Sequence, residues 1–177
     1  MDLAFHSLEH DYKMATQQCP CGYRGDIARP CTCSQQQVAK YQQHISGPIL
    51  DRLDIQIEVP RLRKEELMSN RPGESSSAVR ARVERAREIQ TARFAGLPIA
   101  NNAQMRPRDL RHCCPLSDDV QSLLRTAIDQ LHLSARAYDR ILKLARTIAD
   151  LEAADHITTA HLAEAVQYRN MDRAKTL

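Results

Sequence analysis

The sequence predicts a mainly α-helical fold with one clear β-strand, on three observations. Aromatic residues make up only 4%, with no Trp and two Phe, so a core has to be built from Leu, Ile, Val and Ala, which suit helix packing. Apolar residues recur at i, i+3 and i+4 through most of the second half, the signature of amphipathic helices. One stretch, Leu53-Asp54-Ile55-Gln56-Ile57-Glu58-Val59, instead alternates apolar and polar residues and is closed by Pro60, the pattern of a half-buried strand.

In chain order, residues 1 to 18 show no clean period. From Cys19 to Cys33 the run CPCGYRGDIARPCTC is broken by Pro20, Gly22, Gly25 and Pro30 and reads as a loop. Ser34 offers a cap for a short helix over Gln35 to His44, which stops at Ser46-Gly47-Pro48. The strand comes next, and it needs partner strands that the rest of the chain hardly supplies. Residues 61–73 are a charged linker ending in Arg71-Pro72-Gly73, placed between a first region, 1–60, and a second, 74–177. The second region opens with a helix capped by Ser75 to Ser77 and striped by Val79, Val83, Ala86 and Ile89, followed by a loop from about Gly96 to Pro115. Three closely spaced helices complete a compact bundle. The first runs through Leu116, Val120, Leu124 and Ile128, the second through Ala135, Ile141, Leu142 and Ile148, and the third from a Thr158 or Thr159 cap to Val166.

Charge is unevenly placed: residues 61 to 112 carry 12 Lys/Arg against 6 Asp/Glu within a chain of net charge +3. Such a surplus can meet phosphate or nucleic acid, and it is also what a solvated, Arg-rich helix face looks like. The N-terminus has neither a basic start nor an apolar h-region, and no run is long enough to span a bilayer, so a cytoplasmic protein with no membrane partner is expected. Catalytic signatures of hydrolases are absent, and so are a G-x-x-x-x-G-K-[ST] phosphate cradle and an apolar strand ending in Asp-Glu.

Two constellations could carry chemistry. Cys19, Cys21, Cys31 and Cys33 form C-x-C-x9-C-x-C, enough thiolates for one closed zinc site, although zinc knuckles usually space their cysteines by two or more residues; reduced loop thiols are the alternative. Cys113 and Cys114 are adjacent, which suits core or surface thiols. Among the basic residues, Arg52 stands between the Gly47-Pro48 turn and the strand, within reach of Asp51 or Asp54. Arg136, Arg140 and Lys143 share one helix face, with Asp139 four residues before Lys143 as a supporting partner.

Taken together, CPCGYRGD, CTC, ISGPILDRLDIQIEVP, GESSSAVRARVERAREIQ, LSARAYDRILKLARTIADLE and HLAEAVQYR resemble the magnesium-chelatase-like AAA+ ATPases, in the ComM/YifB branch. The resemblance runs from about Cys19 to Arg169. It implies that 1–60 holds the remnant of an AAA+ α/β core with its last strand, and that 74–177 is the C-terminal helical lid. It further implies that Arg52 is the arginine finger, acting in trans, and that Arg136 is the sensor-2 residue, acting in cis on the γ-phosphate of ATP bound with Mg²⁺. The family's Asn-Pro before Cys-Pro-Cys-Gly is replaced by Gln17-Gln18, which removes the sensor-1 asparagine. The implied function is the C-terminal part of a ring-forming, hexameric ATPase linked to DNA processing, including branch migration during natural transformation, with homologous subunits as partners. Without Walker motifs the chain is expected not to hydrolyse ATP alone. The rival expectations are a small DNA-binding or zinc-stabilised module, and an inactive gene product.

Overall fold

The computed structural model describes residues 6–8, 11–13, 15–26, 28–44, 53–70 and 72–169. They fall into two compact units, one within residues 1–53 and 58–68, the other within 54–57 and 69–177.

The described residues of the first unit carry few regular elements. Strands β1 (His6–Leu8) and β2 (Asp11–Lys13) form an antiparallel pair in the register His6↔Lys13, Ser7↔Tyr12, Leu8↔Asp11, a pairing that the aperiodic opening of the chain did not announce. The cysteine loop leads into helix α1 (Gln35–Gln43). Ser34 Oγ accepts from the Gln37 N–H, and the Gln37 side chain returns the bond to the Ser34 N–H, a reciprocal cap that starts the helix where the sequence places it. Helix α2 (Lys64–Leu67) is a single turn inside the stretch read as linker.

The expected strand over Leu53 to Val59 is not formed. The segment makes no ladder with any described residue, and Ile55, Ile57 and Val59 are 51%, 63% and 80% exposed. Alternation describes a strand only if a neighbour takes its backbone groups. Here the one backbone hydrogen bond to a described residue is Gln56 N–H to the Tyr168 carbonyl at 2.8 Å, and half-buried Gln56 faces inward while its isoleucine neighbours face out. The described residues are therefore mainly helical, and among them the expected AAA+ sheet remnant is not seen.

The second unit is a helical bundle. It comprises α3 (Ser76–Arg93), a 3₁₀ turn at Asn102–Gln104, α4 (Pro107–Cys113), α5 (Asp118–Leu131), α6 (Ala135–Leu151) and α7 (Thr159–Gln167). Helix α6 packs against α3, the 3₁₀ turn, α4 and α7, and α7 also packs on α5. Starts are set by side-chain oxygens: Ser75 accepts from the Ala78 N–H, Ser134 from Ala137, and Thr158 from His161. Helix α4 lies in what the sequence suggested was loop. Pro107 occupies its first turn, where a missing N–H costs nothing, and Leu110 and Cys114 deliver the α4 side of the core.

The core includes Val120, Leu124, Ile141, Leu142, Ala145 and Leu162, on the stripes that periodicity marks in α5 to α7, together with Phe94, Met105, Leu110 and Ile157 from outside those helices. The stripe read on α3 is only partly realised: Ala86 is buried, but Val79 and Val83 are 36% and 43% exposed, and Gln90 is inside. Leu162 has no exposed surface, and Leu162→Ala is expected to destabilise the unit by about 2–5 kcal/mol through lost contacts and the cavity left behind, read as a lower midpoint in denaturant unfolding.

A polar knot sits among these apolar residues. Asp150, on α6, receives Arg93 from α3 (2.8 Å to Oδ2), Arg146 Nε from its own helix (3.0 Å), and Asn102 Nδ2 (2.7 Å). Arg146, 1% exposed, also donates to the Asp155 and Ala154 carbonyls just beyond the helix end. Asn102 completes the set with Thr147 Oγ1 at 3.1 Å. Two guanidinium groups share one carboxylate, and backbone carbonyls and the Asn102 oxygen take further donors, so each buried charged group is hydrogen-bonded, which is the condition for burying it.

Helix α6 ends on Ala153, at φ 54°, and the Ala154 N–H reaches back to the Ala149 carbonyl at 2.8 Å. This six-to-one closure wants glycine at the left-handed position. Ala153→Gly should therefore raise stability by about 1 kcal/mol, since relief of side-chain strain exceeds the extra unfolded-state entropy; thermal unfolding measures it.

Candidate functional site

The four cysteines of the C-x-C pairs converge. Their sulfurs all lie within 4.8 Å of one another, with Cys19–Cys21 at 3.4 Å, Cys21–Cys31 at 3.5 Å and Cys19–Cys31 at 3.6 Å, and all four are free thiols. Local sequence explains the convergence. Pro20 and Cys21 form the centre of a tight turn closed by the Gly22 N–H on the Cys19 carbonyl (3.0 Å), and Gly22, at φ 79°, lets the chain leave it. The second pair lies just ahead of the Ser34 cap of α1.

The loop between the pairs is braced by polar contacts. Asp26 Oδ1 accepts from the Ala28 and Arg29 N–H groups (2.7 and 3.1 Å), and its other oxygen meets Arg61 at 3.2 Å. The Ala28 N–H first, and then Arg61, hold the Asp26 carboxyl below its ordinary range despite some desolvation. Arg29 donates to the Tyr23 hydroxyl at 2.6 Å and lies 5.0 Å from the centre of its ring. Gln42 of α1 donates to the Gln18 carbonyl (3.2 Å), and Gln18 bonds Glu58. Beside the thiols is an open cleft of about 850 Å³, lined by Ala15 to Gln17, Cys19 to Tyr23, Tyr41 and His44.

Backbone amides aim at the sulfurs. The Tyr23 N–H above all, with Thr32 N–H, lowers the Cys21 thiol to about 5 against desolvation. At Cys31 the Cys33 N–H favours the thiolate, but desolvation and the sulfurs of Cys21 and Cys19 outweigh it and leave the thiol raised. Cys33 is pushed up to about 12: the Cys21 N–H is outweighed by desolvation and by Cys21 and Cys31. The negative charge favoured at Cys21 thus opposes ionisation of Cys33, as a neighbouring like charge does. Cys113 and Cys114 do not join it. Cys114 belongs to the bundle core, where burial pushes it up to about 12.

The basic residues separate into three cases. Arg136, in the first turn of α6, is exposed and makes no hydrogen bond or ion pair with a described residue. One turn on, Arg140 is engaged by Asp54. Lys143 donates to the Ala103 carbonyl (2.9 Å) rather than to the expected partner Asp139, so two of the three basic residues on this face are committed elsewhere. Arg52, with Asp51 and the Ser46-Gly47-Pro48 turn, lies outside the described residues. On α3, Arg82 pairs with Glu74 (2.8 Å), while Arg80, Arg85 and Arg87 are exposed. Neither the Asp54–Arg140 pair nor the Asp150 knot was anticipated, because Asp54–Arg140 and Arg93–Asp150 join residues 86 and 57 apart in sequence.

Comparison with known proteins decides the lineage. The family described as "Magnesium chelatase, subunit ChlI C-terminal" matches residues 73–169, more than half the chain, and "Magnesium chelatase, subunit ChlI" matches 6–67. The chain belongs to the magnesium chelatase family. Within that family it is 43% identical over 141 residues to the competence protein ComM of Haemophilus influenzae, covering 79% of this chain and 27% of that protein. It is 41% identical over 153 residues to YifB of Salmonella typhimurium (85% and 29%), and 34% identical over 156 residues to the Mycobacterium bovis protein Mb2921c (88% and 30%). The chain thus spans under a third of the length of these relatives. The ComM and YifB likeness expected from the sequence blocks is borne out. Among the described residues no helix is long and apolar enough to cross a membrane.

Proposed function

We propose that this chain contributes the lid-bearing C-terminal part of a ring-forming AAA+ ATPase that acts in DNA processing, and that it turns over no ATP by itself. In this reading 1–60 is the core-side piece, 61–73 the connection and 74–177 the lid. The observation that carries it is the ordered match of both magnesium chelatase segments, 6–67 and 73–169, together with likeness to a protein named for competence. The uncommitted, exposed Arg136 at the start of α6 is consistent with a sensor-2 residue waiting for a γ-phosphate. ATP and Mg²⁺ would be held by groups outside these 177 residues, which contain no G-x-x-x-x-G-K-[ST]. Homologous subunits of a hexamer are the proposed partners, and the cytoplasm is the proposed location.

The test is ATPase turnover of the purified chain alone and mixed with a full-length relative. Turnover by the chain alone would overturn the reading. A second reading, direct DNA binding, is favoured by one observation: Arg80, Arg85 and Arg87 are exposed along α3. If these arginines grip phosphates, DNA affinity should fall steeply with salt, and replacing all three should flatten the slope of log K against log salt by about 3; fluorescence anisotropy across a salt series measures both.

A further inference from the structure

We propose that Cys19, Cys21, Cys31 and Cys33 bind one Zn²⁺ in a closed tetrathiolate site that holds the first unit together. The geometry is that of such a site before the ion enters. With Zn–S bonds of about 2.3 Å, the edge of the sulfur tetrahedron is about 3.8 Å. Three sulfur separations, 3.4, 3.5 and 3.6 Å, fall just inside that edge, and the fourth sulfur is within 4.8 Å of the rest. Small outward movements would open the cluster to the ion. The close C-x-C spacing is no obstacle, because the Cys19–Gly22 turn carries the first two sulfurs to the same side.

The composition of the first unit says why it needs an ion. Among its residues whose burial is described, 15–26, 28–44, 53 and 58–68, the buried apolar ones are Cys19 and Val38 alone, too little to hold that much loop and short helix. Cys19 has no exposed surface, so among these residues the cluster is a buried centre. Four soft donors with no further ligand suit zinc in a structural role, leaving no open position for a reacting water. Each thiol that binds gives its proton to solvent, so no oxidant or reductant is required. Disulfides are not an alternative fold of the same loop as it stands, since every sulfur pair is well beyond bonding distance.

The experiment uses the full chain purified under reducing conditions. Elemental analysis is expected to give about one zinc per chain in the wild type and in Cys113→Ser, and below about a tenth of an ion in Cys31→Ser. Because Cys31→Ser can fail to fold, a second measurement stands beside it: Co²⁺ added to metal-stripped wild type should give the intense visible bands of tetrahedral cobalt thiolate, saturating at about one equivalent. Stripping should also expose residues 15–44 to protease while the thermal transition of the helical unit stays in place. Stoichiometric iron in place of zinc, or wild type without zinc and without the cobalt bands, would overturn the proposal. None of these readouts depends on ATP turnover, so the proposed function and this site can fail separately.

Discussion

Asp150→Ala is expected to cost the helical unit about 3–5 kcal/mol, a large part of the stability of a domain this size, and to leave much of it unfolded near physiological temperature. Asp150 has no exposed side-chain surface and is the common acceptor for Arg93, Arg146 and Asn102, which come from two helices and the intervening 3₁₀ turn. Removing the carboxylate leaves two guanidinium groups facing each other, one of them 2% exposed at the side chain. Asp150→Asn keeps the shape but not the charge and should fall between wild type and alanine. Circular dichroism during urea titration reads the series; an alanine variant within 0.5 kcal/mol of wild type would show that the knot contributes little.

The same residue sets an acid limit. Desolvation works to raise the Asp150 pKa, but hydrogen bonds from Arg93 and Asn102 and the charge of Arg146 prevail, and the folded-state value lies below the ordinary 3.8. A depressed carboxylate contributes stability that is fully present above its unfolded pKa and is lost as pH falls through the folded value. Stability of the helical unit should therefore be flat around neutrality and decline below about pH 4, and Asp150→Asn should lose most of that decline.

The second large effect concerns the proposed arginines and separates trans from cis action. If the chain docks beside a full-length relative, it should change that relative's ATPase rate, and Arg52→Ala should remove the effect. Arginine fingers are worth on the order of 10³-fold or more in turnover. Arg136→Ala should leave the mixed rate unchanged, because a lid arginine acts on its own subunit's nucleotide. Placed at the equivalent position of the full-length relative, the same change should lower that protein's own turnover. A mixed rate sensitive to Arg136 and insensitive to Arg52 would reverse the two roles.

What could be read from the sequence was what neighbours along the chain decide. Helices α1, α5, α6 and α7 begin close to where serine, threonine and periodicity place them, because caps and i+4 packing act over one or two turns. Elements that depend on distant partners were read poorly. The alternation from Leu53 to Val59 pairs with no described strand, and α4 lies inside the stretch read as loop, with Pro107 in its first turn. Arginines and aspartates are ordinarily surface residues, so nothing local marked Arg146 and Asp150 for the interior. The cysteine spacing was legible, and its apparent tightness was resolved only by the turn at Pro20.

The helical unit is discontinuous along the chain. Residues 54–57 belong to it, through Gln56 on the Tyr168 carbonyl and Asp54 on Arg140, whereas 58–68 do not. A protease nick within 58–68 would therefore leave the N-terminal fragment held to the helical unit through 54–57, by contacts that include those two. A fragment begun at residue 74 would lack both Gln56 on the Tyr168 carbonyl and Asp54 on Arg140, so its measured stability would understate that of the helical unit in the intact chain.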